Sequence, residues 1–258
     1  MPADFEKQAY WHDRFSSETS FEWLTPSATF MSIIEPHLRQ WTPSSGDFKT
    51  KARKSRPRIL HLGSGTSDLH TCFRERGYLD VTNADYEPLA LDRGRQIEKD
   101  VFGDVRTKYA LVDVTRLRSD LMSSSRSSSY SHPERNPDRG NTDTGSSSET
   151  DSDADSSSNW PRKRRYEKTH TFDLVVDKGT ADAVSCGGEE HLRNMVRSVR
   201  DCVTPDGAWI SLSYSASRFD LPVEHMPFDV QVIAKVPTAK TRPTDPDIYY
   251  WCYLLRPR

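Results

Sequence analysis

Gly63-Ser-Gly65 and Asp85 have the types and spacing to hold a nucleoside. The glycines end a short apolar run, Ile59 to Leu62, and a helix-like segment opens at about Ser67. Asp85 lies 20 residues after Gly65, at the tip of a second apolar run, Val81-Thr-Asn-Ala84. Glycines let a ligand approach the backbone closely, and a helix N-terminus presents N–H groups without intrahelical partners. An acid at the tip of the next strand can accept both ribose hydroxyls.

A dinucleotide fingerprint would place a third glycine at position 68, where Asp68 stands. That glycine serves close helix–strand packing beneath a pyrophosphate. S-adenosylmethionine combines adenosine, a ribose diol and an amino acid with no phosphate, so it fits the altered motif. Asp113, in Leu111-Val-Asp-Val114, ends a third apolar run. Its carboxylate would accept the adenine amine, with the neighbouring backbone pairing to the ring. Asp177, in Phe172-Asp-Leu-Val-Val-Asp-Lys-Gly-Thr-Ala-Asp182, ends a fourth. Ligands of open α/β sheets bind at the carboxyl ends of strands, where the strand order reverses. Gly63, Asp85, Asp113 and Asp177 are therefore expected on one rim. His61, inside the first run, reads as a packed strand residue.

The elements that must position these groups alternate. Strands are expected at 59–62, 81–84, 109–112, 172–176, 208–214, 230–236 and 248–255, the last two as a hairpin. Helices are expected at 68–76, 88–100 and 191–202, and Val203 to Gly207 reads as a turn. In 191–202 the residues Leu192, Met195, Val196 and Val199 fall at helical spacing. Alternating β and α followed by a β pair implies a three-layer, Rossmann-like α/β fold. Its sheet is mostly parallel with an antiparallel C-terminal strand.

Composition bounds the rest. A net charge of −2 provides no global attraction to nucleic acid or anionic membrane. No apolar run is long enough to span a bilayer. The polar N-terminus does not read as a signal peptide. Cys72, Cys186, Cys202 and Cys252 are scattered, which fits buried free thiols in a reducing compartment rather than a metal site. The expected location is the cytoplasm. Residues 119–170 are dominated by Ser, Asp, Arg, Asn and Pro and read as a disordered insertion within one domain, 1–258. Residues 1–57 read as a helical and flexible segment covering the cofactor, with Thr42 to Arg56 flexible. Ser146, Ser148 and Ser152 each have an acid three residues on, a spacing that suits an acidophilic kinase. Arg162-Lys-Arg-Arg165 reads as a solvated basic run, with nuclear import the alternative.

The chain resembles the class I, seven-stranded S-adenosylmethionine-dependent methyltransferases. More narrowly, it resembles the group of methyltransferase-like protein 13 and the elongation factor 1A lysine methyltransferases. The matching segments include Tyr10-Trp-His-Asp-Arg-Phe15, Phe21-Glu-Trp23, Ile59 to Ser67, Asp85-Tyr86, Asp113-Val114, Phe172 to Ala183 and Val203 to Gly207. The resemblance implies that Gly63 and Gly65 bound the methionine end of the cofactor. Asp85, with Tyr86 beside it, would hold the ribose, and Asp113 and Val114 would meet the adenine. Tyr10, Trp11 and Arg14 would fold over the cofactor, with Trp23 at the same mouth. Asp177 would lie near the cofactor's amino group and position the acceptor, in place of a glutamate common in the group. The activity implied is methylation of a protein lysine, elongation factor 1A favoured. A small-molecule acceptor on the same fold and a non-catalytic, cofactor-binding adaptor are the alternatives.

Overall fold

The computed structural model describes residues 4–18, 20–38, 56–127 and 171–258. The chain orders as α1 (Gln8–Ser17), α2 (Ser27–Leu38), β1 (Ile59–Leu62), α3 (Leu69–Glu75), β2 (Val81–Asp85), α4 (Pro88–Phe102), β3 (Lys108–Leu111) and α5 (Leu117–Ser127). After the insertion come β4 (Phe172–Lys178), α6 (Thr180–Ser185), α7 (Glu189–Cys202), β5 (Val203–Ser213), β6 (Phe228–Pro237) and β7 (Tyr249–Pro257). The seven strands form one sheet in the order β3-β2-β1-β4-β5-β7-β6. Pairings among β1 to β5 are parallel, and β7 runs antiparallel to both its neighbours. The strand order reverses between β1 and β4, which places a crevice at their carboxyl ends.

Strand alternation sorts the core into two faces. Ile59, Val81, Leu174, Val176 and Ile210 pack with α2 and α3 residues such as Phe30, Ile34 and Phe73. Leu60, Leu62, Val175 and Trp209 pack with α5 and α7 residues such as Leu117, Leu121, Met195 and Val199. The helix-period stripe of α7 thus lies on the sheet.

Two expectations change. Val203 to Gly207 is part of β5 rather than a separate turn, and the turn survives as a register shift. Phe172 pairs with Val203, yet Leu174 pairs with Ala208. α5 also extends past residue 119, the expected start of the insertion, as far as Ser127. Leu117 and Leu121 bury one face of α5, and the Leu117 N–H donates to Ser198 Oγ at 2.7 Å, which carries the helix on to Ser127. Thr42 to Ser55, the three serines singled out in the insertion and the basic run 162–165 lie outside the described residues.

α4 is held against the strands that carry Asp85 and Asp113 by one buried acid. Glu98 accepts from Arg74 at 2.6 Å, from the Arg106 and Thr107 N–H groups at 3.0 and 3.1 Å, from Thr107 Oγ1 at 2.7 Å and from the Tyr109 hydroxyl at 2.9 Å. Gly94, the residue that interrupts the helical pattern, lets the Tyr109 ring approach. A Cβ there would lie 2.8 Å from Tyr109 Cε1. Burial alone would raise the Glu98 pKa, but its donors outweigh burial and hold it at about 2. A folded pKa below the unfolded one stabilises the fold above about pH 4.3, and that contribution is lost as pH falls toward the folded value. Glu98→Gln is expected to cost roughly 1–3 kcal/mol through unpaired buried donors. Thermal melts should show a lower Tm at neutral pH and a flatter acid limb, and an unchanged Tm would show that the donors do not depend on the charge.

Candidate active site

The glycine turn connects β1 to α3 in left-handed backbone, with φ of +55° at Gly63 and +50° at Gly65. A Cβ on Gly63 would collide with the Thr180 side chain, 2.7 Å from its Cγ2, and Thr180 Oγ1 itself donates to the Leu62 carbonyl at 2.9 Å. The Gly65 N–H donates to Asp85 Oδ2 at 2.9 Å, and the Glu87 N–H donates to Oδ1 at 3.0 Å. Asp85 is buried, and burial lifts its pKa to about 6 against the pull of these donors. Asp113 Oδ1 accepts from the Thr115 N–H at 2.9 Å and hydroxyl at 2.7 Å, which turns the chain and presents Val114 and Thr115 beside the carboxylate.

These tips surround a cavity of about 540 Å³. Gly63, Gly65, Asp85, Tyr86, Asp113, Val114 and Trp11 line it, as expected. Tyr10 and Arg14 do not. The Arg14 guanidinium lies over the Phe21 and Trp23 rings, 4.7 and 4.6 Å from their centroids, and its Nη1 donates to the Tyr10 hydroxyl at 3.1 Å. The two residues buttress the rings that face the cavity from behind.

Those rings form a cap. Phe5, Trp11, Phe15, Phe21 and Trp23 line the cavity, and successive rings contact one another at centroid distances of 5.2 to 6.0 Å. Polar ties pin the cap to the cradle. Thr66 Oγ1 donates to Glu18 and accepts the Phe21 N–H, both at 3.1 Å. Glu22 accepts from the Asp68 N–H at 3.1 Å and from Ser27 Oγ at 2.9 Å, and forms an ion pair with Lys178. Burial opposes charge on Glu22, but Lys178 and these donors outweigh it and hold its pKa below the usual carboxylate range. Glu22 and Lys178 lie in segments that carry the resemblance, but the sequence assigned neither a role, because a buried ion pair across 156 residues has no local pattern.

Asp177 is a correction. It does not line the cavity. β4 runs on to Lys178, so Asp177 is paired within the sheet, opposite Leu62 and Ser211. Its Oδ2 accepts from Trp209 Nε1 at 2.8 Å and its Oδ1 from the Ala181 N–H at 3.1 Å. Full burial raises its pKa to about 6. With a period of two, Asp177 falls on the α7 face while Lys178 reaches the cap. The acid of this segment that lines the cavity is Asp182. It accepts from the Tyr214 N–H at 3.0 Å, from Arg218 Nε at 2.8 Å and from Ser213 Oγ. Around it stand Val184, Cys186, His191 and Tyr214. Cys186 is exposed, unlike the other three cysteines. His61 is buried and held neutral by that burial, its pKa down to about 3, with Nδ1 3.2 Å from Asn83 Oδ1.

Along the whole chain, 44% of residues are identical to those of the Neurospora crassa protein Methyltransferase srdJ, over 86% of that protein's length. The chain belongs to the S-adenosylmethionine-dependent methyltransferases. No protein-family model matches it. The fold of this methyltransferase is shared by a Clostridium acetobutylicum S-adenosylmethionine-dependent methyltransferase, with 9% identity, coverage of 90% and 92%, and a TM-score of 0.50. It is also shared by the protein solved in work on conversion of a disulfide bond into a thioacetal group during echinomycin biosynthesis, with 14% identity, coverage of 97% and 93%, and a TM-score of 0.55.

The cradle fits the cofactor. Backbone without a side chain faces the cavity at Gly63 and Gly65, a carboxylate stands at each of the next two strand tips, and aromatic rings cover them. Asp85 would take the ribose, Asp113 and Val114 the adenine, and the glycine turn the methionine end. Gly63→Ala is therefore expected to weaken S-adenosylhomocysteine binding by tenfold or more in calorimetry, since both φ and Thr180 reject the Cβ. Asp177→Asn is expected to leave kcat within about threefold. A raised folded pKa makes stability fall as pH rises from about 3.9 to about 6, and melts of the variant should lack that part of the fall. A loss of turnover with normal cofactor binding would return Asp177 to the catalytic machinery.

Proposed function

We propose that this methyltransferase acts on a small molecule. The observation that carries the reading is the aromatic cap. Phe5, Trp11 and Trp23 lie across the crevice, so the acceptor space is a bounded pocket beside α6, walled by Val184, His191 and Tyr214. A cavity of this size suits a cofactor together with a compact partner. When bound, the cofactor supplies an electrophilic methyl group on a sulfonium. The chain's own residues align the acceptor with it and exclude water. Gly63 and Gly65 bring the backbone close, Asp85 and Asp113 orient the two ends of the nucleoside, and the cap, held by Glu22 and Lys178, lowers the local dielectric.

A second reading keeps the acceptor as a protein lysine, with elongation factor 1A suggested by the resemblance of Asp177 to Asp182. It is supported by Glu6 and the cap rings at the mouth, which suit an amine. The withdrawal of Asp177 from the cavity weighs against it.

Labelled S-adenosylmethionine offered to the enzyme with a cell extract separates the two. Label in the small-molecule fraction is expected, and a discrete labelled protein band without small-molecule product would overturn the proposal.

A further inference from the structure

The cavity is lined by several groups able to exchange protons, and most are committed. Asp85 and Asp113 lie on the nucleoside side and accept backbone N–H groups. Lys178 is paired with Glu22. Asp182 takes Ser213, Arg218 and the Tyr214 N–H. The Cys186 thiol donates to the Asp182 carbonyl at 3.4 Å, and partial desolvation of the sulfur, with Glu6 nearby, pushes its pKa up although the residue is exposed overall. His191 differs: its imidazole lines the cavity and has no hydrogen-bond partner among the described residues.

The position of that ring is nonetheless set. His191 stands in the first turn of α7, and its ring lies over Gly187, where a Cβ would be 3.0 Å from Cγ and 3.1 Å from Nδ1. A side chain at position 187 would therefore make the imidazole give by a few tenths of an ångström. His191 is both exposed to solvent and part of the cavity lining, so a proton it takes can pass to water.

We propose that His191 is the general base for transfer to a phenolic hydroxyl. This rests on the small-molecule reading above. The acceptor oxygen attacks the methyl carbon, forming the C–O bond. The C–S bond breaks with its electron pair going to sulfur, and the O–H proton passes to an imidazole nitrogen and then to water. The products are an aryl methyl ether and the neutral thioether S-adenosylhomocysteine. A phenol titrates near 10, close enough for an imidazole to accept its proton as the C–O bond forms. Glu6, which also lines the cavity, carries a carboxylate, a weaker base than an imidazole and so a poorer match for a phenol. The rings of Phe5 and Tyr214 give an aromatic acceptor flat surfaces to stack on.

The test uses the full chain, labelled S-adenosylmethionine, and phenol, catechol, aniline and benzoate as probes. The wild type is expected to form aryl methyl ethers. His191→Ala should lose roughly 10²-fold in kcat with little change in KM, and added imidazole should restore part of it. Gly187→Ala, which only displaces the ring, should lose part of kcat. S-adenosylhomocysteine binding, read from tryptophan fluorescence, should be unchanged in both variants. Full kcat in both His191→Ala and His191→Gln overturns the assignment, as does loss of S-adenosylhomocysteine binding. Methylation of aniline or benzoate without ether formation leaves the small-molecule reading standing and removes His191. Label found only in protein removes both.

Discussion

The hydrogen bond from the Gly65 N–H to the Asp85 carboxylate is the constraint on which the site depends. It ties the tip of β1 to the tip of β2 and holds the glycine turn open in left-handed backbone. The same residue's carbonyl accepts the Val112 N–H at 2.8 Å, extending the tie toward Asp113. One acid therefore sets the relative positions of the glycine turn and the tips of β2 and β3. Its burial raises the cost of its charge, and the donors around it are what keep a carboxylate usable there.

The second constraint is the pair formed by Lys178 and Glu22. A buried ion pair is a poor source of net stability, but breaking one partner leaves an uncompensated charge. Its effect here is positional. It fixes the chain after Ser20 against the end of β4, and the rings of Phe21 and Trp23 follow. Arg14 then stacks on those rings and α1 closes over the glycine turn. The cap is thus assembled from aromatic contacts, but its place on the sheet is decided by one charge pair and by Thr66 and Asp68 at the cradle's edge.

Much of this was legible in the residues. The apolar runs, the glycine turn and the acids at the strand tips gave Gly63, Gly65, Asp85, Asp113 and Val114, because each depends on local backbone geometry and on the rule that ligands gather at carboxyl ends. The stripe on α7 was equally readable from its spacing. What failed were statements about which way a side chain points. Asp177 was the residue just past the strand end in the sequence reading, and two further residues of β4 put it inside the sheet. Tyr10 and Arg14 were in the right segment but on its outer side. α5 ran on into a serine-rich stretch because Leu117 and Leu121 found a partner in α7, which no local composition announces.

The sequence by itself therefore determined the cofactor cradle and the fold class, since turn chemistry and hydrophobic period act over a few residues. Only the tertiary structure decided the far end of the cavity, the end proposed for the acceptor. Its walls come from α6, the start of α7, the loop after β5 and the N-terminal cap, segments far apart in the chain. Their side chains meet because strand order and sheet alternation bring them together, and those are properties of packing rather than of any local stretch.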